Sequence, residues 1–330
     1  MQVAVLGGGS WGTTMASLIA ARHPTLLWAR DPDVAEEVTT ERTNAAYLPG
    51  FRLSSKLTAT ADLEEAARHA ELLIVGVPTS AVRSTLEMAA KWVHPWIPIV
   101  SLSKGLEQKS LLRMTQVIAD VAPGRPVAAL TGPNIAREIM AGQAAAAVIA
   151  TEDLAVGAAI QAVITRGLFR VYLNHDVVGC ELAGALKNVV AIAAGIAQGL
   201  GVGDNTRAAV MTRGLAEITR LGVAMGGEAI TFAGLAGMGD LITTCVSPHS
   251  RNRHVGEQLG RGRKLADILG EMNMIAEGVK TATTVRDLAK RNGVPMPVCE
   301  EIHKVVNGRT SAARAYAGLR LRPGHENDPG

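Results

Sequence analysis

A single lysine lies inside a long apolar stretch in the second half of the chain. Residues 180–199 read CELAGALKNVVAIAAGIAQG, and Lys187 carries the only charge between Glu181 and Asp204. Burying an ammonium group without a partner is costly, so this lysine needs an anion or a chemical task. A lysine kept away from water can protonate a reacting oxygen atom and stabilise negative charge on it. The alternative is a lysine whose ammonium group reaches solvent from a helix face.

One carboxylate in a later segment is suited to pair with that lysine. Residues 234–245 read GLAGMGDLITTC, in which Asp240 follows a glycine-rich turn and Thr243 and Thr244 come next. A neighbouring anion offsets part of the cost of burying an ammonium group and keeps that group in place. Asp240 is one candidate for such an anion.

A further polar cluster, Ser250, Arg251 and Asn252, follows in SRNRHVG. A guanidinium group offers paired donors, and a hydroxyl and an amide at a loop–helix junction add to them, which suits a phosphate group. A solvated basic loop is the alternative interpretation. Glu277, in IAEGVKTA, has the same ambiguity, and for this residue helix capping is the alternative.

The glycine pattern at the amino terminus is typical of dinucleotide-binding loops. Gly7, Gly9 and Gly12 form G-x-G-x-x-G in VAVLGGGSWGTTMASLIAA, after an apolar strand and before a helix. The first glycine allows a tight turn, the second a close approach to a pyrophosphate, and the third close strand–helix packing. N–H groups at the start of the helix then face the phosphates. A tight turn in a glycine-rich chain is the weaker alternative.

The end of the second strand bears on which dinucleotide binds. NAD-binding proteins usually carry an acid about 20 residues after the loop, where it contacts the ribose hydroxyls. This chain reads WARDPD, so Arg30 precedes Asp31. An arginine there pairs with a 2′-phosphate and favours NADP, whereas a surface arginine and a helix-capping aspartate are the alternatives.

Two more polar groups follow predicted strands. Lys104 lies in SLSKGLE, and Gly132-Pro133-Asn134 lies in LTGPNIAREI, before a helix. Ligands of open parallel sheets bind beyond the carboxyl ends of the strands, so both groups are placed for a site. Free N–H groups at a helix start suit an anion or a cofactor amide. Ordinary loop residues and a helix cap are the alternatives.

The elements that position these residues divide the chain into two patterns. Short apolar runs alternate with helical stretches in the first half, which indicates a mostly parallel, doubly wound sheet of the Rossmann type. The predicted strands are 3–6, 26–29, 72–77, 97–103, 127–132, 145–150 and 168–173. From about residue 177 strand signals stop, and the predicted helices are 177–198, 204–225, 252–260, 264–271, 278–292 and 298–307.

We therefore expect an α/β domain over 1–176, an all-α domain over 177–318 and a disordered tail over 319–330. Hydrophobic residues make up 48% of the 330 and the net charge is only +3, which favours a globular protein without a nucleic-acid partner. No uninterrupted apolar run reaches the length of a membrane span. The cysteines, Cys180, Cys245 and Cys299, form no C-x-x-C pair, which favours a reducing cytoplasm and gives no sign of a metal site.

Taken in order, the motifs resemble those of the NAD(P)-dependent glycerol-3-phosphate dehydrogenases, in particular the bacterial type that serves phospholipid synthesis. The resemblance covers essentially all of 1–318. It rests on GGGSWGTT, NAAYLPG, SKGLE, TGPNIARE, ELAGALKNVVAIAAGI, GVGDNTRAAVMTRGLAE, GMGDLITTC, SRNRHVG and AEGVKTA. It implies a cytoplasmic homodimer that reversibly reduces dihydroxyacetone phosphate to sn-glycerol 3-phosphate with NADPH or NADH.

The resemblance also implies roles for individual residues. Lys187 would exchange the proton at the middle carbon, and Lys104 would contact the substrate near the nicotinamide. Asp240 and Thr244 would support Lys187 and the substrate, and we expect Asp240 to form an ion pair with Lys187. The implied catalytic residues are Lys187, Lys104, Asp240 and Thr244. The implied substrate-binding residues are Lys104, Gly132, Asn134, Lys187, Asp240, Ser250, Arg251 and Asn252. The implied cofactor-binding residues are Gly7, Gly9, Ser10, Trp11, Gly12, Arg30, Lys104, Ala136, Arg251 and Glu277.

The chain departs from its relatives at Asn134-Ile135, where many have Ser-Phe, and at 12–16, where many have GTALA. The first change puts a detailed substrate contact in question, and helix packing should absorb the second. The nearest rival function is a β-hydroxyacid or ketopantoate-type reductase, whose substrate carboxylate would not need the SRN cluster. A non-catalytic NADP-binding sensor is the rival from another class, and the presence of Lys187 and Lys104 counts against it.

Overall fold

The computed structural model describes residues 1–272 and 275–320. Within them the chain forms two compact units, which we describe separately. The first contains Met1–Lys104 and Leu112–Val177, and the second contains Gly105–Leu111 and the chain from Val178 onward. The short segment that follows Lys104 thus packs with the second unit, which the sequence did not indicate.

The first unit is built on one sheet that, within the described residues, has eight strands in the order β3-β2-β1-β4-β5-β6-β7-β8. The strands are β1 Val3–Leu6, β2 Thr25–Trp28, β3 Thr58–Thr60, β4 Leu72–Val75, β5 Ile99–Ser101, β6 Val127–Thr131, β7 Ala145–Ala150 and β8 Phe169–Asn174. Every neighbouring pair is parallel except β6 and β7. The mostly parallel, doubly wound sheet predicted from the sequence is therefore confirmed.

Helices cover both faces of this sheet. They are α1 Ser10–Ala20, α2 Pro32–Thr40, α3 Leu63–His69, α4 Val82–Ala89, α5 Met114–Val121, α6 Ala136–Met140 and α7 Leu154–Ile164. Separate apolar cores form on the two faces, and β1 alternates between them, with Val3 and Val5 in one and Ala4 and Leu6 in the other. Burial on both faces explains why the strands read as continuous apolar runs.

The strand predictions missed β3 and overextended others. Thr58–Thr60 is a short, partly exposed edge strand with threonine at both ends, so it lacks the apolar signal of a buried strand. The predicted runs 72–77 and 97–103 were too long, since the strands end at Val75 and Ser101. Residues 76–77 and 102–103 follow the carboxyl ends of these strands, and residues 97–98 precede β5.

The second unit is helical in the residues described. Its helices are α8 Val177–Gly199, α9 Asp204–Ala224, α10 Ala229–Ala233, α11 Asp240–Val246, α12 Arg251–Gly260, α13 Leu265–Gly270, α14 Glu277–Asn292, α15 Pro297–Val306 and α16 Ala312–Arg320. A turn of π-helix, Leu235–Gly239, precedes α11. The sequence missed α10, α11 and α16. Of the predicted tail, 319 and 320 end α16, and 321–330 lie outside the described residues.

Helix α8 is the centre of the second unit. Every residue from Gly179 to Ala197 is buried, and the helix packs in one apolar core with α9, α12, α14 and α15. By length and composition α8 is the one helix in the described part of the chain that could cross a membrane. Its most apolar stretch is 94% buried inside the protein, as expected for a helix at the centre of a folded core.

Glycines allow α8 and α12 to approach closely. A Cβ atom at Gly195 would lie 2.1 Å from the carbonyl oxygen of Arg253, and one at Gly256 would lie 2.1 Å from that of Ile192. Separations this short are not tolerated, so the two backbones touch only because both positions lack a side chain. This contact places the start of α12 against the helix that carries Lys187.

Candidate active site

Lys187 forms a buried polar cluster with two residues of α11. Its Nζ lies 2.8 Å from Oδ1 of Asp240, and the two side chains are 6% and 3% exposed. Lys187 also donates a hydrogen bond to the Thr244 hydroxyl, which in turn donates to the Asp240 carbonyl oxygen at 2.6 Å. The expected pairing of Lys187 with Asp240 is present, and the lysine does not extend into solvent.

The local fold explains why these three groups meet. Asp240 is the first residue of α11, after the π-helical turn, and Thr244 follows one helical turn later, so both lie on the same face. Lys187 lies in the middle of α8 among apolar neighbours. A cation in so dry a place exerts a stronger field on a reacting group than the same cation in water.

The next residue on α11, Cys245, is a buried thiol in the same electrostatic environment. The pKa of Cys245 is raised to about 12, mainly by burial. The charge of Asp240 also raises this pKa, and the charge of Lys187 opposes the rise. The thiol therefore stays protonated at neutral pH and is a poor nucleophile. The charged groups of this cluster are the lysine and the aspartate.

The predicted phosphate-binding residues lie at the start of α12 but differ in accessibility. Ser250 is the N-cap, and its hydroxyl accepts a hydrogen bond from the Arg253 N–H. Arg251 is the first helical residue and is exposed, close enough to Glu277 at the start of α14 to feel its charge. The structure thus brings the predicted residues Arg251 and Glu277 near each other.

Asn252 is instead buried among helices. Its Nδ2 donates to Oδ1 of Asn188 on α8 at 2.9 Å, and its Oδ1 accepts from the N–H of Gly278 on α14 at 2.9 Å. This chain of bonds ties the starts of α12 and α14 to the turn of α8 that holds Lys187. Asn188 and Gly278 directly follow the predicted site residues Lys187 and Glu277. The helical turns that carry these two site residues are therefore also the turns that Asn252 joins by hydrogen bonds.

In the first unit the glycine loop has the shape that a dinucleotide needs. Gly7 has φ +123°, and a Cβ atom at Gly12 would lie 2.0 Å from the Gly7 carbonyl oxygen. A Cβ atom at Gly9 would meet no atom within 4 Å, so this backbone faces open space. Helix α1 then starts at Ser10 without a side-chain cap, which leaves its first N–H groups for an anion. These residues fit a pyrophosphate.

Other residues predicted to bind the cofactor lie near the same end of the sheet. Trp11 is on the first turn of α1, and its ring contacts Phe169 edge-on with the ring centroids 6.0 Å apart. Its buried indole N–H finds no hydrogen-bond acceptor in the part of the chain that the structure describes. Arg30 follows β2 and is exposed, and Ala136 starts α6. The side chain of Asp31 accepts a hydrogen bond from the Asp33 N–H at 3.1 Å and so caps α2. This agrees with the alternative interpretation of Asp31 as a helix cap.

Lys104 meets the predicted segment 132–134 at the carboxyl ends of β5 and β6. Its Nζ donates to the Gly132 carbonyl oxygen at 2.8 Å and to Oδ1 of Asn134 at 2.7 Å. The amide nitrogen of Asn134 is buried and has no hydrogen-bond partner within residues 1–272 and 275–320. A buried donor without an acceptor is costly, so this atom is suited to an oxygen atom of a bound ligand. The departure from the usual Ser-Phe thus keeps a polar group at this position.

A test of the glycine loop compares two substitutions. Alanine at Gly9 should leave the free energy of unfolding close to wild type, because φ −70° suits alanine and the added Cβ meets open space. It should weaken NADPH binding about tenfold, because the methyl group occupies room that the pyrophosphate needs. Gly12→Ala should lower both the free energy of unfolding and the affinity for NADPH, since its Cβ collides with the carbonyl oxygen of Gly7. Fluorescence titration and chemical unfolding measure the two effects, and unchanged NADPH binding in Gly9→Ala would contradict this assignment.

Comparison with known proteins places both units in one family. Family models match residues 2–157, described as NAD-dependent glycerol-3-phosphate dehydrogenase N-terminus, and residues 176–317, described as its C-terminus. A glycerol-3-phosphate dehydrogenase [NAD(P)+] of Sphingopyxis alaskensis is 54% identical over 100% of this chain and 99% of its own length. One from Mycobacterium tuberculosis is 50% identical over 98% and 96%. The crystal structure of glycerol-3-phosphate dehydrogenase from Coxiella burnetii matches with a TM-score of 0.93 at 33% identity, covering 97% and 98%.

Proposed function

Since the chain belongs to the NAD-dependent glycerol-3-phosphate dehydrogenase family, we propose that Lys187 is the proton donor in its reaction. The chain is an NAD(P)-dependent oxidoreductase that interconverts dihydroxyacetone phosphate and sn-glycerol 3-phosphate. The observation that carries the proposal is the buried ion pair of Lys187 and Asp240, with Thr244 bonded to both.

The chemistry explains why a lysine is needed. A bound reduced nicotinamide supplies a hydride to the carbonyl carbon of the substrate. The carbonyl oxygen then gains negative charge, and Lys187 stabilises it and transfers a proton from Nζ to it. Asp240 and Thr244 hold the ammonium group in one position, so little reorganisation is needed when the charge develops. In the reverse direction Lys187 accepts the proton of the middle hydroxyl.

Lys104 and Asn134 are also proposed to contact the substrate. Lys104 is fixed by two acceptors, Gly132 and Asn134, so its charge has a defined position beside the end of the sheet. The unpartnered amide nitrogen of Asn134 is proposed to donate to a substrate oxygen atom. Fixed donors of this kind orient a small substrate relative to the reacting groups.

Arg251 is proposed to bind the substrate phosphate, with Ser250 beside it. Arg251 is accessible at the first position of α12, where the helix dipole also favours an anion. Asn252 is proposed to act next to it, although its amide also bonds to Asn188 and Gly278. Binding energy from a phosphate remote from the reacting carbon can be used to orient that carbon.

The cofactor is proposed to lie along the glycine loop, α1, Arg30, Ala136 and Glu277. We propose that the enzyme favours NADPH over NADH, because the exposed Arg30 follows β2 while Asp31 is used as a helix cap. Oxidation of NADPH and of NADH, measured separately with dihydroxyacetone phosphate, tests the reaction and the preference together.

Replacement of Arg30 by alanine should raise the KM for NADPH about tenfold and leave the KM for NADH within about twofold, because only NADPH has a 2′-phosphate to lose a partner. The matched control is Arg22→Ala, an exposed arginine that precedes β2 at the opposite end of the same strand. It should leave both KM values at wild type. Equal changes for the two cofactors in Arg30→Ala would contradict the proposed preference.

The oligomeric state, the cellular location and the direction of the reaction are proposed from the family and from the protein surface. We propose a homodimer, and the exposed apolar side chains of Ile230, Ile242 and Val246 on α10 and α11 support a contact surface. Sedimentation equilibrium that gives only a monomer would contradict it.

The cysteines of the described residues are buried and form no disulfide bond with one another, in keeping with a reducing cytoplasm, which cell fractionation tests. The direction proposed is formation of glycerol 3-phosphate for phospholipid synthesis.

A further inference from the structure

A buried arginine outside the predicted site links several parts of the second unit. Arg253 lies on α12, two residues after Arg251, and is 7% exposed. Its Nε donates to the Ser247 carbonyl oxygen at 2.9 Å, and its Nη1 donates to Oε1 of Gln198 at 2.6 Å and Oε2 of Glu257 at 3.1 Å. A buried guanidinium group held by three acceptors has a fixed geometry.

The first consequence concerns the loop of residues 247–250, which joins α11 to α12. The side chain of Arg253 bonds to the carbonyl group of Ser247 at the start of this loop. The backbone N–H of Arg253 bonds to the hydroxyl of Ser250 at its end, at 3.2 Å. Both ends of the loop are therefore tied to one residue, and the loop leads directly into Arg251.

The second consequence concerns α8. Gln198 lies on α8, the helix of Lys187, so its bond to Arg253 joins the start of α12 to that helix. The carbonyl oxygen of Arg253 also lies where a side chain at Gly195 of α8 would have to be. Arg253 thus relates the loop before Arg251 to the helix that carries the proposed proton donor.

We propose that Arg253 is a positioning residue for recognition of the substrate phosphate. It holds the 247–250 loop and the first turn of α12 so that the Arg251 guanidinium group stays at a set distance and direction from Lys187. This inference rests on the proposed function of Arg251. A lysine would not replace Arg253 fully, because a single ammonium group cannot reproduce the planar fork that reaches Ser247, Gln198 and Glu257 together.

The experiment measures three quantities for each variant. They are KM and kcat for dihydroxyacetone phosphate, kcat/KM for unphosphorylated dihydroxyacetone, and the inhibition constant of inorganic phosphate. Arg253→Gln should raise the KM and the phosphate inhibition constant about tenfold and change kcat/KM for dihydroxyacetone by less than about twofold, because a displaced Arg251 affects only ligands with a phosphate. Arg253→Lys should give values between those of Arg253→Gln and wild type.

Two further variants separate positioning from general stability. Arg261→Gln is the matched control, since Arg261 bonds to the other oxygen of Glu257 from the far end of α12, and it should keep wild-type kinetics. Gln198→Ala removes an exposed partner of Arg253, so it should fold even if Arg253→Gln does not, and it should raise the KM a few-fold.

The outcomes distinguish this inference from the proposed function. If Arg251→Ala raises the KM for dihydroxyacetone phosphate while Arg253→Gln and Gln198→Ala both match Arg261→Gln, Arg253 has no positioning role. Equal losses with the phosphorylated and unphosphorylated substrates would show a merely structural role and would also overturn the inference. If Arg251→Ala itself keeps the wild-type KM, the proposed phosphate site is wrong, and the role of Arg253 is wrong with it.

Discussion

Replacing Lys187 with methionine should lower kcat for reduction of dihydroxyacetone phosphate by about 10³-fold, within the usual range for loss of a general acid. Methionine retains the length of the side chain but has neither the charge nor the proton. The dissociation constant of NADPH should stay within about threefold of wild type, because the residues proposed to hold its pyrophosphate lie in the first unit. Steady-state kinetics and fluorescence titration measure the two values.

The controls for this variant address its stability and its charge. Lys187→Met leaves Asp240 buried without its cation, which typically costs about 3–5 kcal/mol of unfolding free energy. Adding Asp240→Asn should restore much of that stability and none of the turnover. Lys280→Met removes an exposed lysine of α14, so it makes the same change in net charge and should retain wild-type kcat. Turnover of Lys187→Met within a few-fold of wild type would refute its role as the proton donor.

Arg251→Ala should raise the KM for dihydroxyacetone phosphate about 100-fold, with a smaller fall in kcat. The lost interaction is a charge-assisted one between a guanidinium group and a phosphate, which is worth about 2–3 kcal/mol. Unphosphorylated dihydroxyacetone should react with the variant and the wild type at similar rates, because it makes no such contact. Parallel determination of kcat and KM for both substrates provides the measurement.

The control for Arg251 is Arg263→Ala, another exposed arginine of the second unit, whose partner is Glu271. This variant should keep the wild-type KM for dihydroxyacetone phosphate. If the two arginine variants behave alike, the substrate phosphate binds elsewhere. A rise in KM for both the phosphorylated and the unphosphorylated substrate would mean that the α12 region supports the fold of the site and not the phosphate itself.

The apolar pattern was enough to predict the architecture, because each central strand is buried on both faces. Residues 3–6 and 72–75 contain only apolar side chains, and each forms a strand. Thr58–Thr60 could not be predicted, since an exposed edge strand needs no apolar run. Helices α10 and α11 lie on either side of GLAGMG, whose glycines conceal a helical segment from pattern analysis, while the structure forms a π-helical turn there.

The site was predictable where a residue's chemistry conflicted with its surroundings. Lys187 in an apolar helix required an anion, and the family resemblance indicated Asp240, 53 positions further along the chain, as its partner. The hydrogen bonds that join the helices of the second unit were not predictable, even where one partner, Asn252, was a predicted site residue. Asn188 and Asn252 are 64 positions apart and gave no charge signal, and Arg253 resembled part of a solvated basic loop until its acceptors on three segments were known.

The most direct test of the central claim compares substrate classes with the wild-type protein. The measurement is kcat/KM with NADPH for dihydroxyacetone phosphate and for ketopantoate, which has a carboxylate in place of a phosphate. We expect rapid oxidation of NADPH with dihydroxyacetone phosphate, formation of sn-glycerol 3-phosphate, and a kcat/KM with ketopantoate lower by about 10³-fold or more. Comparable rates with both, or oxidation with ketopantoate alone while NADPH still binds, would contradict it.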